Sequence, residues 1–120
     1  MESNKAQKLI EKILSDLDHA GIIINTLVDD LKELRTFAKK EEKPLLVKVL
    51  RLTYEHIEEN ETFEIPIPDD EPIEDEDSEV TSIEHNAVES LHYLISLFKD
   101  TNNKVNISDL KAYRDALNNY

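Results

Sequence analysis

From Ala6 to Ala38, apolar residues recur at alternating intervals of four and three: Ala6, Ile10, Ile13, Leu17, Ala20, Ile24, Leu27, Leu31, Leu34 and Ala38. A 3.5-residue period keeps one stripe of a helix facing the same neighbour, so the pattern commits the N-terminal third to helix and that stripe to burial. The phase passes through Gly21 without a slip. It therefore predicts one continuous helix over residues 3–41, about 55 Å long at 1.5 Å per residue. A glycine inside such a helix costs about 1 kcal/mol against alanine and permits local bending. Leu9, Leu14, Ile23 and Val28 widen the stripe beyond a coiled-coil seam, which calls for more than one packing neighbour.

Lys39, Lys40 and Lys43 suit the negative end of that helix's dipole, and Pro44 suits the first position of a second helix, where its missing N–H costs nothing. The second helix is predicted over 44–60, an antiparallel neighbour with Leu45, Leu46, Val49, Leu50, Thr53 and Ile57 on its inner face. Residues 61–81 read as an acidic strap and linker. The alternating Phe63, Ile65 and Ile67 resemble a strand, but Pro66 and Pro68 exclude a central one. Thr81 and Glu84 have capping-box spacing and open a third helix over 82–99. Ser108 is the expected N-cap of a last helix over 108–119. The expected fold is an all-α helical bundle, one domain over residues 1–120. With a first helix twice as long as its neighbours, either the shorter helices cover its two halves in turn or part of its seam is left bare; a bare seam would be covered by a second copy, a homodimer through that helix.

The chain has no cysteine and one glycine among 120 residues, which removes disulfides, thiolate metal sites and glycine-rich phosphate loops. The opening Met1-Glu-Ser-Asn-Lys has no secretory character, and the longest apolar run is Ile22-Ile23-Ile24, so a cytoplasmic protein is expected. The net charge of −13 is unevenly placed: the 47 residues between Arg51 and Lys99 hold 15 of the 27 acids and no lysine or arginine. Direct binding to nucleic acid or to an anionic membrane needs a basic footprint and is not expected.

Glu89 and His92 have the Glu-x-x-His spacing of di-metal bundles, and Asp16 with His19 resembles a second half-site. At about 100° per residue, however, Glu89 and His92 lie about 160° and 100° round from Leu91, and His19 about 200° round from Leu17. Both motifs face away from the predicted core. His85, Glu89 and His92 share a face, where a solvated polar surface outweighs a weak metal site. His56 falls at the edge of the second helix's inner face and reads as a half-buried, hydrogen-bonded histidine. The acid run lacks the central glycine of a calcium loop and is interrupted by Pro72. No catalytic, cofactor or metal residues are assigned.

A continuous acidic field steers a basic partner into contact. The expected function is a non-catalytic protein-interaction module: an adaptor, regulator or inhibitor of a protein with a basic surface. Asp69, Asp70, Glu71, Glu74, Asp75, Glu76, Asp77 and Glu79 would carry the charge, and Phe63, Ile65 and Ile67 would supply apolar anchoring. The competing reading of those three is a strap held on the chain's own bundle. The alternatives are a structural homo-oligomer, and a metal-binding bundle enzyme built on Glu89 and His92.

Overall fold

A computed structural model describes residues 1, 3–68 and 83–120, with the backbone alone for 83–86. Five α-helices form: α1 Asn4–Ala20, α2 Ile24–Lys40, α3 Pro44–Asn60, α4 Ile83–Leu97 and α5 Lys104–Asn118. There is no strand among the described residues. No helix among them is long and apolar enough to cross a membrane. The acids from Asp69 to Glu79, Thr81 and the side chain of Glu84 lie outside the described residues.

The single long N-terminal helix does not form. Ser3 caps α1 by accepting from the N–H groups of Lys5 and Ala6. Gly21 ends it at φ 75° and ψ −151°, a conformation open almost only to glycine. Three residues later α2 starts beside α1 instead of beyond it: Lys12 Nζ reaches Asp30 Oδ2 at 2.7 Å across the gap and Asp16 Oδ2 at 3.1 Å on its own helix. Those carboxylates, Asp30 foremost, raise the Lys12 pKa above its usual value. The apolar stripe thus folds onto a shared core. Ile10, Ile13 and Leu17 of α1 and Leu27, Leu31 and Leu34 of α2 are buried, while Ala20 is exposed and Ile24 half-buried at the bend. The seam expected to need a second copy is covered within one chain.

Glu42, at φ 56°, shapes the turn into α3, and the Lys43 N–H donates to the Ala38 carbonyl at 3.1 Å. Pro44 opens α3 as expected. The Lys32–Glu58 pair, 3.8 Å apart, shows α3 folding back along α2. Glu61, left-handed at φ 59°, closes α3 with its N–H on the Ile57 carbonyl at 2.7 Å. At the other end of the chain, Asn103 and not Ser108 is the N-cap. Its side chain accepts from Val105 and Asn106 N–H at 2.8 and 3.2 Å, so α5 begins at Lys104. Asparagine caps as well as serine does, and the early start carries half-buried Ile107 onto the core.

Each helix packs on two others, in the closed order α1–α2–α3–α5–α4. The core inside this ring includes Ile10, Leu31, Leu50, Leu94, Phe98 and Tyr113, each fully buried.

Candidate functional site

The strap that follows α3 is fastened by polar side chains of α3 and α4 and by Tyr120 beyond α5. His56, 6% exposed, accepts the Glu64 N–H on Nε2 at 3.0 Å. An imidazole nitrogen that accepts carries no proton, so this contact requires neutral His56. Burial lowers the pKa of His56, and Glu64 and Glu59 oppose that shift. The ring meets Phe63 and Tyr120 edge-on, with centroids 5.5 and 4.6 Å away. Farther along, Ser90 Oγ donates to the Ile65 carbonyl at 2.6 Å and lies 2.9 Å from the Tyr113 hydroxyl, which also donates to the Ser90 carbonyl at 3.0 Å. Tyr120 donates to the Glu64 carboxylate, and that bond raises its own pKa.

Phe63 and Ile65 are therefore buried in the chain's own core, at 1% and 4% exposure, and Ile67 alone of the three keeps part of its surface. The apolar anchoring assigned to Phe63 and Ile65 is directed inward in this arrangement. The strap begins at the C-terminal end of α3, and its Glu64 is held there by His56 and Tyr120.

That end of α3 is itself acidic. Glu55, Glu58, Glu59, Glu61 and Glu64 are all exposed. Glu55, Glu58 and Glu59 rim a hollow of about 410 Å³ whose apolar side is Leu52, Leu117 and Tyr120. Such a hollow suits a lysine or arginine side chain, because the stem can lie on apolar surface while the head meets carboxylates. These glutamates are not among the residues singled out from the sequence; their one-turn spacing of three and four was the available signal.

The metal motifs do not assemble. His92 Nε2 lies 3.4 Å from Asp18 Oδ1, and Glu89 is exposed. His19 turns back to its own helix, with Nδ1 2.8 Å from the Ser15 carbonyl. Among the described residues no three ligand-type side chains converge; the His85 side chain lies outside them. Asp109, 6% exposed, accepts from the Tyr93 hydroxyl and ties α4 to α5. This is a structural contact between two helices of the bundle.

No protein-family model, curated protein or solved structure matches this chain. Its own residues carry the functional argument.

Proposed function

We propose that this chain is a non-catalytic interaction module that binds a protein with a basic surface and acts as an adaptor, regulator or inhibitor. One observation carries the reading: the glutamate-rimmed hollow of α3 includes Tyr120, which also holds Glu64 of the strap, and the eight acids of Asp69–Glu79 follow Glu64 closely in the sequence. Self-repulsion in such a surface destabilises the isolated chain and is offset when cations approach. Leu52, Leu117 and Tyr120 offer the apolar contact within it. The absence of cysteine favours a reducing, cytoplasmic setting. The homodimer reading rests on the seam of α1 and α2, whose burial within the bundle lends it no support.

The test is a pull-down from native lysate at low salt with three baits: the wild type, a variant with the acids of residues 69–79 changed to Asn and Gln, and Glu55→Gln/Glu58→Gln/Glu59→Gln. The expected result is a basic protein retained by wild type, lost from both variants and released by salt, since exposed charges are screened beyond about 8 Å at physiological ionic strength. Equal capture by all three baits, or none, would reduce the acids to a solubilising role.

A further inference from the structure

The opposite end of the α2–α3 hairpin carries the opposite charge. A groove of about 520 Å³ runs across the end of α2, the turn and the start of α3. Its rim holds Arg35, Lys39, Lys43, Lys48 and Arg51, against a single acid, Glu42. Pro44 and Val47 also line it. Two further features mark it as a place for anions. Arg35 Nε is shut off from solvent and meets no acceptor among the described residues. A buried donor without an acceptor is rare in folded chains. The start of α3 also has no side-chain cap and no acid in its first turn, so its free N–H groups and positive dipole end add to the field.

We propose that this groove docks a carboxylate-rich segment of a partner protein. Its cations are spread over two helices and a turn, an arrangement that suits several carboxylates in succession along a segment. The proline, the valine and the lysine stems give the groove an apolar component that a peptide with apolar residues among its acids would cover. None of its described lining residues is aromatic, so it offers no platform for stacking bases. A long polyanion would also meet the chain's net charge of −13, whereas a short segment confined to the groove meets mainly the local cations, within a Debye length of about 8 Å. The groove is distinct from the acidic surface, and its occupancy does not depend on what that surface binds.

The probe is a labelled peptide with the sequence of residues 69–79, eight acids around Pro72 and Ile73. It is titrated into the full chain whose own residues 69–79 carry Asn and Gln, which removes internal competition and leaves the acidic-surface reading untouched by the result. A peptide with its acids replaced in the same way and a single-stranded RNA oligonucleotide serve as controls. Binding of the acidic peptide alone is expected, weakening about tenfold between roughly 50 and 300 mM salt. Lys43→Gln/Lys48→Gln/Arg51→Gln should lower the affinity at least about tenfold with an unchanged helical circular-dichroism spectrum, as loss of charge-assisted hydrogen bonds implies. Arg35→Lys keeps the charge and removes the Nε donor; if it folds, it should bind several-fold more weakly. No binding of the acidic peptide, binding indifferent to the triple substitution, or RNA bound in preference to it would overturn the proposal.

Discussion

His56 joins three parts of the molecule through one unprotonated nitrogen. Its Nε2 holds the Glu64 amide, and its ring sits between Phe63 and Tyr120. Because burial lowers its pKa in the folded state, the unfolded chain takes up the proton first. Stability from this residue is present above about pH 6.5, the unfolded value, and is lost as pH falls from there toward the lower folded value. Urea unfolding between pH 5 and 8 should show that loss in the wild type. In His56→Gln, whose side-chain oxygen still accepts from the amide but does not titrate, stability should fall less over this range, so the wild-type-minus-variant difference should slope. The other polar anchor of the core is open to a similar test. Tyr93→Phe removes the hydroxyl that meets the buried Asp109 carboxyl, and an unsatisfied buried acceptor costs about 1–3 kcal/mol; a shift of the urea midpoint at constant slope would measure it. The hydrogen-bonded place of His56 at the inner edge of α3 was legible because its phase is set by the helix alone, but at 6% exposure it is buried where half-burial was expected. That its acceptor role is toward the strap was not legible, since Glu64 reaches it only after the chain reverses at Glu61.

At the scale of the element, Gly21 decides the architecture. A continuous helix would gain about 1 kcal/mol from Gly21→Ala. The bend predicts the opposite sign, a loss of about 1–3 kcal/mol, because an L-residue is strained at φ 75° and ψ −151°. Among the described residues the added Cβ would meet only Val88 Cγ2, at an ordinary 3.8 Å, so the cost is in the backbone. Thermal or urea unfolding of this one variant separates the two folds by sign. The heptad pattern concealed the bend because periodicity reports phase and not direction. Three non-helical residues that restore the phase leave no trace in it. The signal against a helix lay in composition: a glycine followed by three consecutive β-branched isoleucines, then Asn25 and Thr26, is a poor helical run. The lysines near the end of α2 show a related limit. Their fit to a helix dipole was readable, but their meeting with Lys48 and Arg51 in one groove required α3 to fold back.

For the whole molecule, closure of five helices into a ring makes the α1 and α2 stripes a common core. Leu31 is completely buried. Leu31→Ala should therefore cost about 2–5 kcal/mol in unfolding free energy, with loss of the cooperative transition in the Leu27→Ala/Leu31→Ala pair. A homodimer seam predicts instead a folded monomer, so circular dichroism and light scattering on the same sample distinguish the two. The ring also separates charge: acids gather where α3 ends and cations where it begins. Salt should then weaken binding at both ends while leaving the apolar core little changed, a contrast that titrations and unfolding curves at two ionic strengths would display.

By itself the amino-acid sequence determined the helical class, the second helix and its proline start, the position of the third helix, and the concentration of negative charge between Arg51 and Lys99. These follow from local periodicity, caps and composition, which act over a few residues. Tertiary structure alone decided that the N-terminal stripe folds at Gly21, that Phe63 and Ile65 turn inward, that three glutamates ring a hollow, and that five cations from two helices and the turn between them face one groove. Each depends on residues far apart in the chain coming together. Such meetings are set by how helices of similar length bury their stripes against one another, an outcome that no local pattern encodes.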